Sequence, residues 1–157
     1  MQESEQPGRP SGRGTVKLEH VAVVVNDLAA AVAFFTELGL DLEGEATLEG
    51  DTVDRLSGLD EVRSDIAVLR TTDGHGRLEL IKYQSPPVRG GEPGAPPNTL
   101  GIRHLLFSVQ GIEDVVRRLR SHGAELVGEL VRYENSYWLC YLRGPEGIIV
   151  ELAEQIR

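Results

Sequence analysis

Four side chains suited to holding a metal ion occur in this chain at two matching places. His20 stands directly before the apolar run Val21 to Val25, and His104, 84 residues further on, stands before the apolar run Leu105 to Val109. Each histidine has a downstream carboxylate: Glu79 within Arg77-Leu78-Glu79-Leu80-Ile81, and Glu151 within Ile149-Val150-Glu151-Leu152-Ala153. A glutamate between apolar strand neighbours must be paired, hydrogen-bonded or bound to a cation, because burying a bare carboxylate is costly. Two neutral imidazoles and two carboxylates cancel the charge of a divalent ion, and this mixed nitrogen and oxygen set suits Ni, Co, Mn, Fe or Zn. A thiolate cage is excluded, since Cys140 is the single cysteine. Four protein ligands on an octahedral ion leave two positions where a chelating substrate can displace water.

The elements that position these residues repeat with the same offset. After the first apolar run come Asn26-Asp27 and a helical pattern of Leu28, Ala31, Val32 and Phe35, closed by Gly39; after the second come Ile112, Val115, Val116 and Leu119, closed by Gly123. The i, i+3, i+4, i+7 spacing puts one apolar stripe on each helix, and the glycine ends it. Short β-rich runs follow: Ile66 to Arg70 and Arg77 to Tyr83 in one half, Tyr137 to Leu142 and Ile148 to Ala153 in the other, with turns at Asp73-Gly74 and Gly144-Pro145-Glu146-Gly147. Each half therefore reads as βαβββ, and the fold class as α+β. From histidine to glutamate the first half spans 59 residues and the second 47, so the first carries 12 extra, placed between Glu43 and Asp65. Within them Asp51 to Leu56 reads as a short helix near the mouth of the metal site.

The expected organisation is a disordered tail over 1–15, a first module over 16–84, a Pro/Gly linker over 85–100 and a second module over 101–157, with 16–157 as one domain. Each module is too small to bury its sheet alone, so the two pair within the chain, across a dimer, or both. The chain has 157 residues and a formal net charge of -9, which makes nucleic acid and anionic membranes poor partners. The longest apolar run falls far short of the roughly 20 residues of a membrane helix, and the polar N-terminus has no secretory signal pattern. A small-molecule partner, a reducing compartment and a cytoplasmic location are the expectation.

The paired modules, with His20, Glu79, His104 and Glu151 on the first and last strand of each, resemble the vicinal oxygen chelate superfamily of glyoxalases, bleomycin resistance proteins and dioxygenases. The resemblance covers 16 to 154 and includes the closing turn and strand Gly144 to Leu152. It implies two βαβββ modules forming a curved mixed sheet around one divalent ion per site, and a homodimer. The four-ligand pattern is similar to those of glyoxalase I and methylmalonyl-CoA epimerase, which implies proton abstraction next to a carbonyl with a metal-stabilised enediolate, Glu151 being the first choice of base and Glu79 the second. Two departures point away from the glutathione adduct as substrate: Val24 and Tyr83 stand where glyoxalase I carries an arginine and an asparagine that hold glutathione. Alternative readings are a non-haem iron dioxygenase of the extradiol type, which needs no carboxylate at Glu79, and a non-catalytic resistance protein that binds a drug.

Arg63, Arg103, Tyr83, Tyr133, Tyr137 and Trp138 combine apolar area with polar tips near the ligand strands and are candidates for the substrate pocket. Tyr83 shares a face with Glu79 at i+4, whereas Arg103 points away from the face of His104. His75, His122 and Cys140 read as structural residues, Cys140 as an inert core thiol.

Overall fold

The computed structural model describes residues 14–157; most of the expected tail over 1–15 lies outside them. The first module runs β1 (Val21–Val24), α1 (Leu28–Leu38), β2 (Asp41–Glu49), α2 (Asp51–Ser57), β3 (Arg63–Arg70) and β4 (Arg77–Ser85). The second runs β5 (His104–Ser108), α3 (Ile112–Ser121), β6 (Glu125–Leu126), β7 (Val131–Tyr133), β8 (Tyr137–Arg143) and β9 (Ile149–Gln155). The sheets are ordered β1-β4-β3-β2 and β5-β9-β8-β6, with β7 also on β8. In both, the first and last strands pair in parallel and the others antiparallel. The α+β, two-module architecture expected from the sequence is thus present as two mixed sheets. The extra residues of the first module include the expected helix, α2, but it packs by the start of β3, where Arg63 lies across from Ser85, and not at the mouth of the His/Glu site. In the second module the strand that should mirror β2 is broken into β6 and β7, an interruption that periodicity did not reveal.

Alternation along the strands divides each sheet into two faces. Leu78 and Leu80 of β4 and Val150 and Leu152 of β9 are buried on the helix side, where one core joins both modules. Phe34 and Phe35 of α1 lie at its centre, and Phe35 meets Phe107 of the other module at 6.3 Å between ring centroids. Between the helices Arg118 pairs with Glu37 at 3.5 Å. Phe34 also covers Gly144, where a Cβ would come 2.8 Å from the ring. The modules therefore share a single interior, and the opposite face of each sheet looks outward.

Helix entry is secured from different places in the two halves. The Asp27 carboxylate accepts from the Ala30 N–H at 3.0 Å, and Glu146 of the second module accepts from the N–H groups of Asn26 and Asp27, the latter at 3.1 Å. The contacts to Ala30 and Asp27 satisfy amides that the first helical turn leaves without partners. At α3, Gly111 occupies the cap position and Glu154 of the same module's β9 accepts from the N–H groups of Gly111 and Ile112.

The Pro/Gly segment between the modules is fastened to the second one. Arg143 donates to the carbonyls of Pro93 and Ala95, both at 2.9 Å, and Arg103 to those of Ala95 and Pro96 at 3.1 and 2.9 Å. Ala95 is buried, and a Cβ on Gly147 would lie 2.1 Å from the Pro93 carbonyl oxygen. None of the helices described is long and apolar enough to cross a membrane.

Candidate metal centre

The outward faces carry the four residues singled out by the repeat. Parallel pairing aligns Ala22 with Glu79 and Leu106 with Glu151, so each histidine, two residues earlier in the chain (His104 opening β5, His20 just before β1), lies diagonally beside its glutamate. His20 Nε2 is 3.0 Å from Glu79 Oε2, and His104 Nε2 is 3.0 Å from Glu151 Oε2. Both glutamate side chains are 16% exposed, against 44% for His20 and 37% for His104. Each carboxylate is therefore sunk in the sheet, and each imidazole opens outward.

The donor chemistry fits a divalent ion. Two ligands at adjacent corners of an octahedron with bonds of about 2.1 Å are about 3.0 Å apart. Each pair is a close nitrogen–oxygen contact between side chains and is already spaced as two neighbouring ligands. The pairs do not merge: among the described residues, no three His, Cys, Asp or Glu side chains come together closely enough to hold one ion. One chain thus presents two half-sets.

The cross-strand neighbours around each pair are uncharged. In the first module Val68 lies across from Glu79, Ile66 across from Ile81, and Ser64 across from Tyr83. In the second, Tyr141 lies across from Glu151 and Leu139 across from Ala153. The His104 and Tyr141 rings are 5.1 Å apart between centroids. A hollow of about 230 Å³ beside Glu151 is lined by Gly128, Glu129, Val131, Leu139, Cys140 and Tyr141. A second, of about 330 Å³, separates the β1 and β5 edges and includes His104.

Charge gathers at one end of each face. Two residues beyond the partner of each glutamate stands an arginine, Arg70 in β3 and Arg143 in β8. Arg143 is consumed by the linker carbonyls, while Arg70 lies opposite Arg77, which makes a two-point contact with Glu43 at 2.8 and 3.2 Å and approaches Glu19 at 3.9 Å. The Arg77 guanidinium holds the Glu43 carboxyl below its usual range.

Of the pocket residues suggested by the sequence, Tyr83 lies on the face of Glu79, and Tyr137 and Tyr133, cross-strand partners, lie on the face of Glu151. Trp138 does not join them. It turns to the helix side, packs on the core, and has the Arg132 guanidinium 6.0 Å from its ring centroid. Arg63 stands at the start of β3, across from Glu49 and Ser85, with α2 and away from both His/Glu pairs. Arg103 points off the face of His104 to the linker, as strand parity implied. Tyr141, directly across from Glu151, was missed by the sequence reading; its alternation with Tyr137 was the available signal. Cys140 faces the core, and burial pushes its thiol up to about 11.

The chain is related in sequence and shape to known proteins. It is 29% identical over 143 residues to the uncharacterized protein YaeR of Escherichia coli (strain K12), covering 90% of this chain and 98% of that protein. A glyoxalase family protein from Bacillus cereus superposes with a TM-score of 0.91 at 44% identity, over 95% of this chain and 100% of that one. The fold is also that of the fosfomycin resistance protein FosX of Listeria monocytogenes, whose structure in complex with Mn(II) and a dihydroxypropylphosphonic acid matches with a TM-score of 0.58 at 13% identity, over 88% and 90% of the two chains. A family model matches residues 17–152. With that match over most of its length, the chain belongs to the glyoxalase/bleomycin resistance protein/dioxygenase superfamily.

Proposed function

We propose that this protein is a metal-dependent isomerase or lyase of the glyoxalase type, acting by proton abstraction next to a carbonyl, with each site shared between two copies of the chain. The observation that carries the reading is the pair of His/Glu half-sets at equivalent positions on outward faces that share no third ligand. In a two-fold dimer the first module of one copy faces the second module of the other, so that His20 and Glu79 meet the partner's His104 and the partner's Glu151. Two such sites form at once. Apolar side chains exposed on these faces, including Val24, Leu48 and Leu106, are covered by the same association.

These four residues would hold a divalent ion, which would supply Lewis acidity to a substrate carbonyl oxygen; Mn(II) in the FosX structure is one ion that this fold accommodates. The chain's own residues supply the rest. Glu151, sunk beside His104 and flanked by Tyr141, is the first choice to take the proton, and Glu79 the second. His20 and His104 would serve as ligands through the Nε2 atoms that stand 3.0 Å from Glu79 and Glu151. Uncharged cross-strand neighbours, Val68 beside Glu79 and Tyr141 beside Glu151, give the proton transfer a low-polarity surround. Val24 and Tyr83 offer no cation to a glutathione carboxylate, which supports a different substrate.

The test is elemental analysis of chelator-free protein, and of apoprotein supplied with Ni, Co, Mn, Fe or Zn, beside Glu79→Gln and His104→Ala variants, with mass measured by sedimentation. About one ion per chain in a dimer, lost in His104→Ala, is the expected result. Carbonyl compounds bearing an acidic neighbouring hydrogen are then incubated in D2O, where deuterium enters the product. Oxygen uptake with an aromatic diol in place of exchange, or no metal with any ion, would overturn the proposal.

A further inference from the structure

The two histidines of the half-sets stand at the open ends of their strands: His20 directly precedes β1, and His104 is the first residue of β5. A strand end frays unless something outside the ladder holds it. The modules differ in what that is. Before His20, Glu19 comes within 3.9 Å of Arg77, a largely exposed contact of little worth. Before His104, Arg103 donates through Nη2 to the carbonyls of Ala95 and Pro96, at 3.1 and 2.9 Å. The Ala95 carbonyl is shared. Arg143 Nη2 reaches it at 2.9 Å, and Arg143 Nη1 reaches the Pro93 carbonyl at 2.9 Å as well.

These contacts close a ring around His104. Ile149 is the cross-strand partner of both His104 and Arg143, so the path runs from His104 through its chain neighbour Arg103 to Ala95, on to Arg143, and back through Ile149. The strap that completes the ring is preformed. Its turns bring the Ala95 N–H to the Glu92 carbonyl at 2.9 Å and the Thr99 N–H to the Pro96 carbonyl at 3.0 Å, and Pro93, Pro96 and Pro97 restrict its backbone. Ala95 is buried within it. Hydrogen bonds donated by a guanidinium are roughly twice as strong as neutral ones, so the start of β5 is held by more than its ladder. At the matching place in the first module, Arg70 is exposed across from Arg77 and, among the described residues, clamps no such strap.

We infer that Arg103 and Arg143 are positioning residues of the metal centre: by clamping the strap they hold the start of β5, and with it His104 Nε2, in place beside Glu151. The inference rests on the metal site proposed above, and its test keeps the two separable. Cobalt(II) is the probe. Its affinity is measured by chelator competition and its visible spectrum recorded, with sedimentation and thermal unfolding followed on the same samples. Arg103→Met and Arg143→Met are each expected to lower cobalt affinity about tenfold or more, in the range of residues that orient ligands, and to shift the spectrum at temperatures where the protein is fully folded. Hydrogen exchange should rise at the first residues of β5 and not at β1. Arg103→Lys, which keeps a cationic donor, and Arg70→Met, which has no strap to release, should stay within about threefold of wild type in affinity. Should Arg143→Met fail to fold, the comparison of Arg103→Met with Arg103→Lys decides alone. Unchanged affinity and spectrum in Arg103→Met, no recovery in Arg103→Lys, or an equal loss in Arg70→Met, with His104→Ala still losing the ion, overturns the inference and leaves the metal site standing. Variants that dissociate the dimer assign the strap to the subunit contact and likewise overturn it. Wild-type protein that takes up neither cobalt nor any other ion takes down both.

Discussion

The two modules carry the same chemistry on different supports. Each places one histidine 3.0 Å from one glutamate on its outward face. Their supports diverge. Helix α1 is almost wholly apolar and draws part of its N-terminal cap from Glu146 of the other module, while α3 is charged on its outer side and is capped by Glu154 of its own. Arg143 fastens the linker, whereas its counterpart Arg70 is exposed on the first face. Tyrosine is concentrated on the second face. A ligand set is intolerant of change because each member touches the ion; caps, straps and walls are free to specialise as long as the strands stay in place.

The comparison breaks first at the ligands. If the two pairs serve one ion, His20→Ala and His104→Ala lower metal affinity alike, by more than the 10–100-fold typical of residues that only orient ligands; competition with a chromogenic chelator measures it. A loss in one variant alone would mean that the modules are not chemically equivalent. The next largest effect tests the shared interior. Phe35→Ala removes a fully buried ring that both modules contact and is expected to cost about 3–5 kcal/mol. Urea unfolding followed by separate probes in the two halves should still give one coincident transition.

The caps give a smaller and more diagnostic difference. Glu146→Ala and Glu154→Ala each free two backbone N–H groups, at a cost of about 1–2 kcal/mol. Hydrogen exchange should rise at the start of α1 for the first and at the start of α3 for the second, although both changes are made in the second module. Least of all should be the response of Cys140. With its thiol pushed up to about 11, only about one molecule in a thousand is thiolate at pH 8. Iodoacetamide should leave the folded protein unlabelled, with metal content unchanged, and label it fully in denaturant.

How much of this was legible in the sequence follows from where the signal is duplicated. His20 and His104, Glu79 and Glu151, and the helix stripes ending at Gly39 and Gly123 each appear twice, and a second instance in the same register turns an ambiguous apolar run into an assigned strand or helix. The placement of Tyr83 followed from strand parity alone. Parity also argued against naming both Tyr137 and Trp138 for one pocket, since neighbours in a strand point to opposite faces. Long-range contacts left no such trace. Glu146 reaching Asn26 and Arg143 reaching Pro93 join residues 120 and 50 apart, and the break between β6 and β7 has no counterpart in the first module to be compared with.

One glycine turns this architecture into something readable at a distance. With the linker in place, position 147 has no room for any side chain, its Cβ falling 2.1 Å from a backbone oxygen with φ at +84°. In a relative, a letter other than G at this point of the Gly144-Pro145-Glu146-Gly147 turn would announce a connecting segment that takes another route past the β1 and β5 edges. The path of a dozen residues of otherwise featureless Pro/Gly sequence is thus encoded in a single character downstream, where a genome survey can look for it.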